Sequence, residues 1–379
     1  MILRNFYSCI SCSMGYFIRY GLGDQYPQKS SFFCENCGEK LTIGYDKNRK
    51  VFVENLQIIP EDENLSIVNL HPEIILDSKK KMDRYYFPTL EFLSKQAKTG
   101  DKDLELLRKI QKSIISYNDL WSKIEKDLRL CSEKRFHLID KKYGSDKAII
   151  QRRICKQILI INQYFLSGKW KELLENANEE MKLAKSKPDF INLKNYLKNK
   201  IDDFIEIFYS LMSEYSKVKE EMLVTLYSQQ CNHDLNGISS IVDWDKIEMT
   251  YGNIYEKYGD LLSILTGVNN INKRGNFNKF ESNGFDFQKY LISDKANRCD
   301  NFLGNHNLCN FSDFYDANIR NGTHHRNAKI DKDNQKIILG VGKGGKKERI
   351  ITFIDYIVYC NEIYARSLAL INLYIKIIL

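Results

Sequence analysis

A mainly α protein, with a small β module at its N-terminus and a β-hairpin before its last helix, is predicted by three observations. Residues 1–56 alternate in short apolar and polar runs broken by turn residues. From about 101 to 265, apolar residues recur at three- and four-residue steps. Residues 349–379 carry a wide apolar stripe at helical spacing. The chain has 379 residues, room for two or three domains, and its composition, with 28% charged and 12% aromatic residues, is far from that of a disordered chain. We expect a β domain over 1–56, a linker and helical middle region over 57–188, and a C-terminal helical domain over 189–379.

In the β module, Tyr16-Phe17-Ile18-Arg19-Tyr20 and Lys50-Val51-Phe52-Val53 are the strand-like runs. Pro60-Glu61-Asp62-Glu63-Asn64 opens an acidic, turn-prone stretch, to about Pro72, that reads as a linker. Helical periodicity then covers 101–131, 146–166, 170–185, 189–229 and 243–265. Ser145-Asp146, Pro188-Asp189 and Asp243 suit helix starts, and Gly144, Gly168 and Gly267 suit ends. The Asn- and Gly-rich stretch 269–310 reads as a long loop with one short helix near 285–292. Residues 329–341 and 348–353 flank Gly342-Lys343-Gly344-Gly345 as a hairpin would. The last run is interrupted by Asp355, Glu362, Arg366 and Lys376, which suits a buried helix and not a membrane span. Residues 1–16 lack the unbroken apolar core of a signal peptide, so a reducing cytoplasm is expected. There the ten cysteines are thiols or metal ligands in preference to disulfides.

Four of those cysteines form two C-x-x-C pairs, Cys9/Cys12 and Cys34/Cys37. Two residues between thiolates let one tight turn present both sulfurs to one ion, and Gly38 permits the left-handed conformation such a turn needs. Four thiolates satisfy tetrahedral Zn2+ and leave no open position, so the site is expected to be structural, with one zinc per chain. Disulfides, core thiols and an iron–sulfur cluster are the alternatives. From about residue 5 to 55 the segment resembles a zinc ribbon, a fold that binds DNA, RNA or protein. The other six cysteines are scattered. Cys299, His306 and Cys309 lack a C-x-x-C pair and are expected to be ordinary loop or core residues.

The most informative stretch is 313–326. Ser312 is a candidate N-cap, so a short helix from Asp313 to about Asn321 would present Arg320 in its last turn. If the turn continues, Asn321 and His325 share a face. A guanidinium grips a phosphate in two places, and an imidazole exchanges a proton near neutral pH; together they suit phosphodiester cleavage without a metal, using the 2′-hydroxyl of RNA as nucleophile.

Arg320-Asn321-x-x-x-His325 resembles the R-N-x-x-x-H motif of the HEPN superfamily (higher eukaryote and prokaryote nucleotide-binding helical domains). The flanking helices, hairpin and final apolar helix fit that resemblance over about 189–379. Members are commonly metal-independent endoribonucleases of toxin–antitoxin, abortive-infection and CRISPR-linked defence, working as dimers with facing motifs. The resemblance implies an RNA substrate, a homodimer and an antitoxin or other defence-system partner. It also implies that Arg320 positions the phosphate and stabilises the transition state, that Asn321 orients it, and that His325 is the general acid or base, leaving a 2′,3′-cyclic phosphate. His324 is a competing imidazole, and Gly322 stands where a helix former is expected. The reading from a different class is a non-catalytic zinc-ribbon adaptor that binds nucleic acid or a protein.

Charge placement favours nucleic acid. Arg320–Arg349 holds nine Lys and Arg against three Asp and Glu, and residues 1–50 hold seven against four, which leaves the remainder of the net +8 close to neutral. Arg326, Lys343, Lys346, Lys347 and Arg349 are the candidate backbone contacts. Residues 340–347 imitate a P-loop, but Lys347 stands where a hydroxyl is needed for magnesium.

Overall fold

The computed structural model describes residues 2–21, 27–48, 50–62, 65–70, 101–144, 146–219, 221–222, 225–226, 229, 244–282, 284–324, 328–331, 335–341 and 347–379; at His324 only the backbone is described. Contacts divide the chain into two units: Met1–Arg108 with Glu220–Ile247 and Ala328–Val358, and Lys109–Lys219 with Glu248–Asn327 and Tyr359–Leu379.

The first unit opens with seven strands: β1 (Ile2–Cys9), β2 (Gly15–Gly21), β3 (Gln28–Phe33), β4 (Lys40–Tyr45), β5 (Val51–Glu54), β6 (Leu56–Ile58) and β7 (Ser66–Leu70). One sheet has the order β6-β1-β2-β7 and the other β3-β4-β5. Side chains alternate between faces, so Tyr16, Ile18 and Tyr20 of β2 meet Leu41, Ile43 and Tyr45 of β4 in one core, with Tyr20 stacked on Tyr45 at 5.8 Å. The stretch expected as a linker contains β7, which pairs in parallel with β2 and buries Val68 and Leu70. Its short apolar run, Ile67, Val68 and Leu70 beside the turn-prone acidic stretch, does not signal a strand until β2 offers an edge. Nearer the C-terminus, β8 (Lys329–Asp331), β9 (Lys336–Val341) and β10 (Lys347–Thr352) form a sheet in the order β10-β9-β8 around buried Ile337, Leu339 and Ile351. The expected hairpin is therefore three-stranded.

Helices follow the predicted periodicity: α1 (Asp101–Ser132), α2 (Phe136–Tyr143), α3 (Lys147–Phe165), α4 (Lys171–Lys185), α5 (Phe190–Asn199), α6 (Ile201–Lys217), α7 (Trp244–Ile247), α8 (Thr250–Arg274), α9 (Phe287–Ile292), α10 (Ala317–His324) and α11 (Phe353–Ile378). Asp146 caps α3 by accepting the Ile149 N–H at 2.9 Å, and Gly144 ends α2 at φ 60°. The single run expected over 189–229 breaks at Lys200. That residue closes α5 through a tight bond to the Leu197 carbonyl, and its own carbonyl starts α6 by accepting the Phe204 N–H. Asp189 does not cap α5; it accepts the Phe277 N–H at 2.7 Å instead. Gly267 does not end a helix either. It lies inside α8, where a Cβ would stand 2.8 Å from Leu193 Cδ1, so the glycine admits α5; α8 ends at Gly275, φ 73°. Stretch 269–310 holds α9, as expected, but α8 takes its first turns and single-turn helices form at Lys295–Asn297 and Cys309–Phe311.

In the second unit the core gathers around α8 and α11. Almost every side chain of α11 from Tyr356 onward is buried, which accounts for its apolar run. No helix among the described residues is long and apolar enough to cross a membrane. Inside this core Glu362, 2% exposed, accepts from Trp170 Nε1 at 3.0 Å and Arg366 Nη1 at 2.6 Å, with Lys169 Nζ on its other oxygen. Burial works against the charge, but Arg366 and then Lys169 outweigh it and hold the carboxyl below its ordinary range. Removing one member of such a pair leaves the other buried and uncompensated, so Glu362→Ala should lose about 3–5 kcal/mol in urea unfolding. A carboxyl depressed on folding stabilises above its unfolded value and loses that contribution as pH falls through the folded one. Wild-type stability should therefore drop on acidification below the ordinary 4.5, with a shallower slope in Glu362→Gln.

Candidate functional site

The two C-x-x-C turns are built alike. In the first, the Ser13 N–H donates to the Cys9 carbonyl at 2.9 Å with Ser13 at φ 60°; in the second, the Gly38 N–H donates to the Cys34 carbonyl at 2.9 Å with Gly38 at φ 71°. Each turn ends left-handed at the residue after its second cysteine, a conformation that costs Ser13 more than Gly38. Cys9, Cys12, Cys34 and Cys37 thereby converge, with all four sulfurs within 4.8 Å of one another. Cys9 to Cys37 is 3.6 Å and Cys12 to Cys34 is 3.4 Å. A tetrahedron with metal–sulfur bonds of about 2.3 Å has edges of about 3.8 Å, so the cluster is compatible with zinc.

Tyr16 supports this centre from the core. Its hydroxyl donates to Cys34 Sγ at 3.2 Å and accepts the Glu35 N–H at 2.9 Å. Burial pushes the Cys34 thiol up, but the Tyr16 hydroxyl and then the N–H groups of Cys37 and Asn36 outweigh it and bring the thiol down to about 6. At Cys37 the Glu39 N–H lowers the thiol, while desolvation and bonds to Cys12, Cys34 and Cys9 push it up to about 12. The Cys34 thiolate thus forms readily, and a metal must displace the proton of Cys37.

Arg320 is the centre of the second site. Nε and Nη2 reach Glu256 Oε1 of α8 at 2.7 and 2.6 Å, and Nη1 donates to Asn321 Oδ1 at 2.8 Å. Glu256 also holds Lys295, at 3.2 Å. Burial opposes its charge, yet the bonds from Arg320 and Lys295 hold the carboxyl below its ordinary range. One turn on, Asp260 takes Lys295 and Arg298 Nη1 at 3.0 and 2.9 Å. Arg320, Lys295 and Arg298 thus share the carboxylates of Glu256 and Asp260.

A tyrosine row on α8 places this arginine. Tyr251, Tyr255 and Tyr258 recur at four- and three-residue steps and share one face. The Tyr251 hydroxyl donates to the Phe314 carbonyl at 2.7 Å and accepts the Asp316 N–H at 2.8 Å. Tyr255 stacks on Tyr315 at 4.1 Å, and Tyr258 donates to the Phe311 carbonyl. Held so, the chain makes a left-handed step at Phe314, φ 62°, and α10 begins at Ala317, four residues later than expected. Ser312 does not cap it, because its hydroxyl donates back to the Cys309 carbonyl; Asp316 accepts the Asn318 N–H instead. Arg320 accordingly lies in the first turns of α10, and not the last. The helix continues through Gly322, which puts positions 320 and 324 on one face.

His325, Arg326, Lys343 and Lys346 lie outside the described residues. Lys347 opens β10 and is exposed, while Arg349 is half-buried opposite Leu339. A strand, not a helix, thus follows the glycine-rich stretch that imitates a P-loop. Cys309 Sγ bonds the His306 carbonyl, and among the described residues the four N-terminal cysteines are the one metal-capable group found. Glu256 was not legible as a site residue. Its only sequence signal is that Glu256 and Asp260 stand four apart beside the tyrosine row.

Two outcomes are expected. Tyr16→Phe should weaken zinc affinity about tenfold in chelator competition, while Cys34→Ser should abolish stoichiometric uptake. Gly259→Ala would set a Cβ 2.6 Å from Tyr315 Oη, which is pinned by the Lys295 carbonyl at 2.9 Å. Overpacking of about 1–3 kcal/mol should outweigh the roughly 1 kcal/mol gained in helix propensity, so the variant should melt below wild type. No protein-family model, curated protein or solved structure matches the chain.

Proposed function

We propose that the chain is a metal-independent endoribonuclease of the HEPN type whose N-terminal module is a zinc ribbon. The observation that carries the reading is Arg320: a guanidinium 27% exposed on a short helix, its plane held by Glu256 and Asn321 beside Lys295, one helical turn before His324. In this reading Arg320 holds the scissile phosphate and offsets the charge that develops on it. Asn321, oriented through its own oxygen, keeps the guanidinium in place. An imidazole of the His324-His325 pair takes the proton from the 2′-hydroxyl, or returns one to the leaving 5′-oxygen. Helical spacing supports the register of His324. Cys9, Cys12, Cys34 and Cys37 hold zinc in a structural role, and a homodimer with facing motifs, acting in a toxin or antiphage setting, is the arrangement that accompanies this chemistry in the family. Lys347 and Arg349, with Arg326, Lys343 and Lys346, are the proposed RNA-backbone contacts.

The test is RNA cleavage in a chelator concentration that leaves the cysteine-bound metal in place. Wild type should cleave and leave 2′,3′-cyclic phosphate ends. Arg320→Ala should lose about 100-fold or more in rate, as should either His324→Ala or His325→Ala. Cleavage undiminished in Arg320→Ala, or absent from the wild-type dimer, would overturn the enzyme reading in favour of a binding adaptor.

A further inference from the structure

The helical body, near neutral when averaged over its sequence, is far from neutral around α4 and α5. Residues 182–200 contain six lysines and one carboxylate, Asp189. Asp189 is spent on the Phe277 N–H and Asn192, and Lys200 pairs with Asp203. Lys182, Lys185, Lys194 and Lys198 have no carboxylate partner among the described residues.

Tertiary contacts gather these lysines. Lys376, near the end of α11, reaches Asn178 Oδ1 on α4 at 2.9 Å, one turn before Lys182. Tyr374 donates to the Leu197 carbonyl on α5 at 3.0 Å, beside Lys198. Desolvation, then Lys198 and Lys185, hold the Lys194 ammonium below the usual lysine range; desolvation, then Lys185 and Lys182, do the same at Lys376. The C-terminal dipoles of α4 and α5 favour cations there, but they do not cancel this mutual repulsion.

An aromatic pocket adjoins the same helix. Tyr196 of α5 packs against Phe277 and Phe287 at 5.9 and 5.4 Å. That loop forms an open pocket of about 300 Å³ lined by Phe280, Phe285, Lys279, Asn276 and Asn278. The side-chain oxygens of Asn276 and Asn278 accept the N–H groups of Asn278 and Phe287, and their amide nitrogens have no partner among the described residues. The half-buried Phe285 ring, backed by buried Phe280, with two amide groups and Lys279 in the lining, matches an unpaired base, and the lysines of α4, α5 and α11 match phosphates. A bilayer would need a continuous apolar face; Leu183, Ile191 and, on α9, Ile292 are single large apolar side chains exposed on three different helices, while α4 turns Leu173, Ala177, Met181 and Ala184 inward.

We propose that Lys182, Lys185, Lys194, Lys198 and Lys376, with the Phe280/Phe285 pocket, form a binding surface for single-stranded nucleic acid, distinct from the Arg320 cluster. Phosphates lie along the lysines and one unstacked base enters the pocket. The surface stands whether or not Arg320 cleaves RNA.

The test is fluorescence anisotropy with a labelled 20-nucleotide 2′-O-methyl oligouridine, which lacks the nucleophile for cleavage, so its outcome is separate from that of the Arg320 assay. Lys185→Ala/Lys194→Ala/Lys198→Ala should bind at least about tenfold more weakly at 0.1 M salt and lose about two from the salt slope. Phe285→Ala, checked for native circular dichroism, should weaken binding about tenfold with the slope unchanged. A duplex of equal length should bind more weakly than the single strand. Wild-type affinity in the lysine variant, or displacement of the oligonucleotide by phosphatidylserine vesicles that bind wild type and lose affinity for the variant, would overturn the proposal.

Discussion

Glu362 and Arg366, one turn apart on a helix with almost no exposed surface, set the terms for the helical unit. Two charges removed from water cost several kcal/mol each unless their geometry returns it. Here each is fully occupied. Glu362 takes the Trp170 indole and Lys169 as well as Arg366. Arg366 in turn donates to the Asn310 carbonyl at 2.9 Å and lies 4.9 Å over the Phe314 ring. Satisfying this pair therefore fixes the start of α4 on one side and, on the other, the segment that leads into α10.

That segment carries the strain of the site. The left-handed step at Phe314 is uncommon for a bulky residue and persists where its surroundings over-determine it. Arg366 beneath the ring and the Tyr251 hydroxyl at both ends of the step supply that surplus. The result is that Arg320 meets Glu256 in a fixed plane. A long flexible cation becomes a preoriented one, which lowers the ordering cost of binding an anion.

The N-terminal centre reaches order by a different route. Its two turns are local, each closed within one hairpin, β1–β2 or β3–β4, and only the packing of the two sheets into one core brings them together. Tyr16 joins the centre to the core through the same hydroxyl that holds Cys34. Core packing and ligand placement are thus coupled, as a metal that stabilises a fold requires.

Features carried by neighbouring residues were legible in the sequence: the cysteine spacing, the cap at Asp146, the left-handed end at Gly144, the apolar stripe of α11 and its buried character. Each depends on contacts within a turn or two, where spacing dictates geometry. What escaped depends on partners far along the chain. Glu256 meets Arg320 across 64 positions, Gly267 is chosen by Leu193 of another helix, Ser312 is drawn back to Cys309, and β7 waits for the edge of β2. Charge behaves alike: averaged along the chain the helical body is neutral, but folding sets the lysines of α4, α5 and α11 side by side and spends its carboxylates elsewhere. The sequence by itself determined most of the helices and the two cysteine turns, because both are local. Only the tertiary structure decided which charges face one another, because that rests on packing between helices.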